Sequence, residues 1–414
     1  MSSATEQYLE SKIASNEAVD VPLLVDYLIQ DSLQRGASDI HIEPWEDMVG
    51  VRVRVNGVLQ WLVGIPNEHQ PNIAGRFKVM ANLESHTTGL PQDGKAAPEN
   101  FGGVQLRVSI FPTVYGEKIV CRIFNPNSKT FDISRLGFDD ETLEKFMELT
   151  SKPTGLMLLT GPTGSGKTTA IYAAIGYLLE KHGNAVAVSS VEDPVEQNLD
   201  WVNQSSLNPA RGYNYPAALR SLMRQDPEII MVGEIRDEET AEIAINAGMT
   251  GHLVISTLHS NTTSGTFARL INMDIEPFLL ASTIIGVLGV RLLRTNCMHC
   301  AVPYTPEPYA LEQLLQFEGN EYVQSLMDQQ GFYKGNGCSA CSDTGFTGRS
   351  SVNELLVCDE AIREAVMQKK ASRDIQALSV EAGMRTLWDS GLQMVVDRKT
   401  TLEETLQKVA ADQV

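Results

Sequence analysis

Residues Leu158–Ile175 read LLTGPTGSGKTTAIYAAI. An apolar run enters a turn with three glycines, and Lys167 and Thr168 open a helix-forming stretch straight after it. The turn Gly161, Pro162, Thr163, Gly164, Ser165, Gly166, Lys167, Thr168 matches G-x-x-x-x-G-K-[ST] in full, between a strand pattern and a helix pattern as that motif requires. Glycines let successive backbone N–H groups point inward as an anion nest. The helix that follows adds the positive end of its dipole. Lys167 is placed to reach the β- and γ-phosphates of ATP and Thr168 to hold Mg²⁺, with Thr169 next in the same turn.

Around this loop, apolar runs of strand length alternate with helical segments: GLMLLT, AVAVSSV, EIIMVGE and HLVIST. Continuous apolar strands between helices predict a parallel sheet covered on both faces. Ligands bind at the C-terminal edge of such sheets. Two of the runs end there in acids, Glu192, Asp193 and Glu196 after one strand and Glu234 after another. Hydrolysis needs an acid near the metal and a group to orient water, so these clusters are candidates for both. TGHLVISTLHSNTT puts His252 and His259 at opposite ends of a strand, with His259 at the edge of Lys167 and Glu234 and so a candidate γ-phosphate sensor.

The expected architecture is α/β: a small α+β domain over 1–125, a polar linker at 126–135, and a P-loop core over 136–414. The first domain shows a helix over 22–35 with Leu23, Leu24, Tyr27 and Leu28 as its apolar stripe, a second helix over 70–83, alternating strands in DIHIE, VGVRVRV, VQLRVSI and KIVCRIF, and a hairpin turn at Asn56-Gly57. PQDG at 91–94 reads as a turn. The 13-residue run FLLASTIIGVLGV, 278–290, is too short to span a bilayer, which needs about 18 residues, and reads as a buried helix. The N-terminus carries no signal-peptide pattern.

The chain has 414 residues, 43% of them hydrophobic, and a formal net charge of -19. Nucleic-acid wrapping demands basic surface, so that charge argues against a nucleic-acid partner. Four of the six cysteines form two C-x-x-C pairs, Cys297/Cys300 and Cys338/Cys341. Four thiolates closing a tetrahedron make a structural zinc site. The 37 residues between the pairs (301–337) include a helical excursion that must bring them together.

In order, GPTGSGKTT, SVEDPVE, LRSLMRQDPEIIMVGEIRD and TGHLVISTLHSNTT resemble the Walker A, Asp box, Walker B and His box of the secretion-superfamily ATPases, the GspE/PilB family of type II secretion and type IV pilus assembly. GASDIHIEP, RVRVNGVL, RFKVMANLE, LPQDGK and LRVSIFPTVYGEKIVCRI resemble that family's second N-terminal domain, and GMRTLWDSGLQMV and TTLEETLQ its C-terminal helices. The resemblance implies a RecA-like core carrying a tetracysteine zinc element at 292–350 and C-terminal helices at 351–414. It implies a cytoplasmic homo-hexameric motor, peripheral to the inner membrane through platform and anchor proteins, with ATP bound between the domains. It also implies Glu192 as general base, Glu234 as the Mg²⁺-side acid, and Arg107 and Arg122 as arginines that reach the nucleotide. Arg220, Arg224 and Arg236 would serve the site or the subunit contact, and His252 is a further candidate for binding the nucleotide. Lys95 departs from the family's usual arginine after QDG. The tetracysteine element favours assembly or export over retraction.

Overall fold

The computed structural model describes residues 3–98, 100–124, 131–329 and 331–409. The chain divides into two compact units, Met1–Lys129 and Thr130–Val414. Residues 126–130 of the expected linker lie outside the described residues, as do 410–414 of the C-terminal helices.

In the first unit six strands form one antiparallel sheet in the order β3-β2-β1-β6-β5-β4. They are β1 (Asp39–Pro44), β2 (Val49–Val55), β3 (Val58–Ile65), β4 (Gln92–Ala96), β5 (Gln105–Thr113) and β6 (Gly116–Phe124). Asn56 (φ 51°) and Gly57 (φ 84°) join β2 to β3, two positive φ values in a row as a two-residue hairpin demands. Alternation decides the faces: Val51 and Val53 are buried, and Arg52 and Arg54 point away from that core. The helix Val21–Gln34 is capped by Asp20, whose side chain accepts the Leu23 N–H. Its buried stripe is Leu24, Val25, Leu28 and Ile29, and Leu23 is 40% exposed. The expected stripe was thus one position out, because the residues at i, i+1, i+4 and i+5 face the sheet. A further helix, Ala4–Ser15, precedes it. PQDG is no turn: residues from Gln92 start β4, which pairs with β5. Gly94 serves close packing there, since a Cβ on it would lie 2.6 Å from the Ala81 carbonyl oxygen.

The second unit is built on a seven-stranded sheet, order β15-β12-β7-β11-β10-β8-β9. Its strands are β7 (Gly155–Thr160), β8 (Val188–Glu192), β9 (Val202–Ser206), β10 (Ile229–Val232), β11 (Leu253–Leu258), β12 (Ile284–Asn296) and β15 (Phe346–Val357). All neighbours run parallel except β12 and β15. Residues of β7, β8, β10 and β11 are buried almost throughout, as a sheet covered on both faces requires.

The run at 278–290 is not one buried helix. A helix, Pro277–Thr283, ends where β12 begins at Ile284. The β-branched pair Ile284-Ile285 favours extension. Gly286 lets the neighbouring strand approach, since its Cβ would lie 3.1 Å from the Leu356 carbonyl oxygen. Beyond β12 a small antiparallel pair, β13 (Ala301–Tyr304) and β14 (Phe332–Gly335), flanks the cysteines, with helices Pro308–Glu318 and Asn320–Gln329 between the strands. No helix among the described residues is long and apolar enough to cross a membrane.

Candidate active site

The glycine-rich turn leaves β7 at its C-terminal end and becomes the helix Lys167–His182 at once. Gly161 (φ 148°), Gly164 (φ 75°) and Gly166 (φ 101°) adopt positive φ, where a side chain is strained. At Gly161 space is also closed, since a Cβ would lie 2.5 Å from the Val290 carbonyl oxygen. The Lys167 ammonium donates to the carbonyl oxygens of Gly161 at 2.7 Å and Pro162 at 2.9 Å. Burial, then the Arg291 charge, lowers its pKa. Ser165 Oγ is buried and has no hydrogen-bond partner. An unpartnered hydroxyl and a buried cation within one glycine nest fit a polyphosphate.

Glu192, the last residue of β8, is 3% exposed. Its carboxylate accepts from Tyr172 Oη at 2.5 Å, Ser190 Oγ at 2.5 Å and Gln204 Nε2 at 3.1 Å. Gly233 follows β10 and donates its N–H to the Val191 carbonyl at 2.8 Å. A Cβ there would lie 2.6 Å from the Tyr215 hydroxyl and 3.3 Å from Glu192 Cα and the Val191 carbonyl oxygen, so glycine fits between Tyr215 and the end of β8. Next comes Glu234, which pairs with Arg236 and lies 3.5 Å from His259 Nε2. Arg236 also lies 3.4 Å from Asp193. Hydrogen bonding to Glu234 raises the Arg236 pKa, and burial followed by the Glu234 charge raises that of Tyr215.

Sheet order therefore gathers the P-loop after β7, His259 after β11, Glu234 after β10 and Glu192 on β8 along one edge. His252 does not join them. It precedes β11 at the opposite end, where its carbonyl accepts the Gly155 N–H and its Nδ1 lies 3.0 Å from the Ala247 carbonyl oxygen. Six strand residues separate it from His259, about 20 Å at the usual rise. Arg220 pairs with Glu239 on the surface, and Arg224 donates to the Arg220 carbonyl at 2.8 Å; neither reaches the P-loop or Glu192 in a described contact. In the first unit Arg107 stands opposite Arg122 in the β5/β6 register, and Arg122 Nε lies 3.0 Å from Asp39.

Sequence reasoning missed Tyr172, Gln204 and Arg291. Arg291 is 6% exposed on β12 and donates to the Val290 and Asn261 carbonyls, joining the back of the P-loop to the segment after His259. Reading 278–290 as one helix hides that Arg291, the next residue, lies on a strand.

The four expected zinc ligands meet. All four Sγ atoms lie within 4.8 Å of one another, and Cys297–Cys338, Cys300–Cys341 and Cys338–Cys341 are 3.8, 3.9 and 3.8 Å apart. Zinc–thiolate bonds of about 2.3 Å give a tetrahedron with edges near 3.8 Å, so the set fits zinc. Backbone N–H groups of Cys338 and Gly345 point at Cys341 Sγ, at 3.2 and 3.3 Å. Burial raises the Cys341 pKa, and these donors overcome it to leave the thiol at about 7. Gly335 and Gly345 let the two knuckles touch, since a Cβ on Gly335 would sit 1.9 Å from the Gly345 carbonyl oxygen.

A mostly parallel sheet with a P-loop on a central strand and two acids on neighbouring strand ends defines a nucleotide-binding core of RecA-like P-loop fold. Residues 14–407 match the family model described as "Type II/IV secretion system protein", and the chain belongs to that family. It is 40% identical over 408 residues to the type IV pilus assembly ATPase PilB of Thermus thermophilus, covering 96% of this chain and 45% of that protein. It is 39% identical to the PilB of Myxococcus xanthus (99% and 71%) and 37% identical to the type II secretion system ATPase E of Vibrio cholerae (96% and 77%). The chain thus spans under half of the Thermus relative. Among solved structures, the pilus retraction motor PilT with bound ADP is 23% identical with a TM-score of 0.63, covering 94% of this chain and 97% of that one. The Legionella pneumophila ATPase DotB is 19% identical with a TM-score of 0.69, covering 93% and 95%. These two likenesses are of fold.

Proposed function

We propose that this chain hydrolyses ATP to power assembly of a type II secretion pseudopilus or a type IV pilus. It acts as a cytoplasmic homo-hexamer, held at the inner membrane through the platform and anchor proteins of that machine. The names of its relatives support the system, and the tetracysteine element supports assembly over retraction. One observation carries the chemistry: a buried, fully oriented Glu192 carboxylate on the same sheet edge as the P-loop, Glu234 and His259.

In this reading Lys167 exchanges the Gly161 and Pro162 carbonyls for the β- and γ-phosphates. Ser165 Oγ gains an acceptor from the same phosphates. Thr168 and Glu234 would hold Mg²⁺, which when bound neutralises phosphate charge. Glu192 takes a proton from water as its oxygen attacks the γ-phosphorus and the bond to the bridging oxygen breaks, releasing ADP and phosphate. His259, beside Glu234, reports the γ-phosphate, and Arg236 orients Glu234. Arg107 and Arg122 add positive charge to the reaction, and Arg220 and Arg224 serve the subunit contact.

Replacing Glu192 by Gln keeps the shape, turns one acceptor oxygen into an NH2 donor and removes basicity. The variant is expected to bind ATP with near-parent affinity and to lose turnover by about 10²-fold or more. Turnover near the parent rate would remove Glu192 from the role of base.

A further inference from the structure

Three elements deliver the donors on Glu192. Ser190 comes from β8 itself, Gln204 from β9, and Tyr172 from the helix that starts at Lys167. A carboxylate offers about four lone-pair positions. Both positions on Oε1 are taken, by Ser190 Oγ and Gln204 Nε2, and one on Oε2 is taken, by Tyr172 Oη. The remaining position is on Oε2, the oxygen that Tyr172 holds.

We propose that Tyr172 is a positioning residue for hydrolysis, its hydroxyl fixing Oε2 of Glu192 so that the open lone pair faces the attacking water. The proposal rests on the reading of Glu192 as the base. Tyr172 is 1% exposed, and the ring of Phe131 meets it edge-on at 4.9 Å and 90°. Packing therefore fixes the ring, and the hydroxyl has one geometry to offer. Burial, then the bond to Glu192, pushes its pKa well up, so it remains a donor across the working pH range. Tyr172 follows Lys167 by five positions on one helix. The group that grips phosphate and the group that aims the base thus share a single rigid element, and a displacement of that helix on nucleotide binding moves Oε2 with it.

Tyr172→Phe keeps the ring and its packing and removes only the hydroxyl. Expected are a fall in kcat of about 10²-fold and an ATP Kd within about threefold of the parent, the margin of an undisturbed site. In a Glu192→Gln background the same change lowers residual turnover by less than about threefold, because the two residues act as one unit. Parent-like turnover in a folded Tyr172→Phe, or an equal loss in both backgrounds, overturns the proposal. Should Tyr172→Phe fail to fold, 3-fluorotyrosine at 172 keeps the hydroxyl and makes it a stronger donor. A stronger donor on Oε2 withdraws charge from the base, so kcat falls while the ATP Kd holds, and an unmoved kcat overturns the proposal. The Glu192→Gln single variant tests the base reading alone, and parent-like turnover there takes down both.

Discussion

Lys167 rests its ammonium on the carbonyl oxygen of Gly161, 2.7 Å away and within its own phosphate loop. The cation is 9% exposed and its pKa is lowered, by burial first and by Arg291 second. Bound polyphosphate supplies negative charge that offsets both effects. Lys167→Ala is therefore expected to weaken ATP binding by about 2–5 kcal/mol, the range for a buried charge that loses its partner. A pH signature accompanies this. The lysine pKa is lower in the free protein than in the complex, so binding takes up a proton between the two values, and affinity falls as pH rises through the free one. Calorimetry repeated from neutral pH up to 10.5, the ordinary lysine value, in two buffers of different ionisation enthalpy reads that uptake. No uptake by the parent would show that Lys167 is not the phosphate cation.

Zinc should copurify at one equivalent per chain. The Sγ separations of 3.8–3.9 Å already describe the edges of a zinc–thiolate tetrahedron. Structural zinc contributes on the order of 10 kcal/mol to a small stapled unit. Chelation should raise amide exchange across residues 292–350 and leave β7, β8, β10 and β11 protected. Elemental analysis that finds no metal in protein purified without chelator rules this out.

Much of this was legible in the sequence. The P-loop spacing fixed a strand, a turn and a helix together, and Asn56-Gly57 placed a hairpin because few residues other than glycine and asparagine accept two positive φ values. The run at 278–290 failed because a continuous apolar stretch has no period, so helix and strand look alike. Only the approach of Leu356 to Gly286 and the partner strands of β12 decide it. Gln204 lay beyond reach for another reason. It sits on β9, an edge strand of no clear pattern, and its meeting with Glu192, 12 positions away, depends on β8 pairing with β9.

Glu354 on β15 should give the second unit a pH-dependent stability. It is 4% exposed and accepts from Thr263, Gln376 Nε2 and the Leu387 N–H. Burial raises its pKa above 4.5 despite those donors. The folded state therefore holds its proton to higher pH than the unfolded one. Its contribution is full below about 4.5 and is lost as pH rises through the folded value. Denaturant midpoints from pH 4.5 to 8 should fall more steeply for the parent than for Glu354→Gln, which cannot ionise. Parallel slopes would show that this carboxyl does not titrate in that window.

Arg107 and Arg122 should both be needed for turnover. The register of the first unit lines up one row across five strands: Arg54, Asp39, Arg122, Arg107 and Lys95. Asp39 is the row's single acid, 3.0 Å from Arg122 and 3.7 Å from Arg54. Arg107 stands between Arg122 and Lys95, with like charge directly opposite on each side. Such pairs are unfavourable in a sheet, and a polyphosphate brought to this face would offset them. Arg122 remains 58% exposed beside Asp39, so its cation is available to a second anion. An arginine that neutralises charge in a phosphoryl-transfer transition state is worth about 10³–10⁵ in turnover. Arg107→Ala and Arg122→Ala should each approach the lower end of that range, with folding checked by circular dichroism. Asp39→Asn, which keeps the hydrogen-bonding shape but frees the arginines, should cost far less. Losses below about threefold in both alanine variants, well short of the arginine-finger range, would leave this row as a solvated sheet face and the first unit without a part in the chemistry.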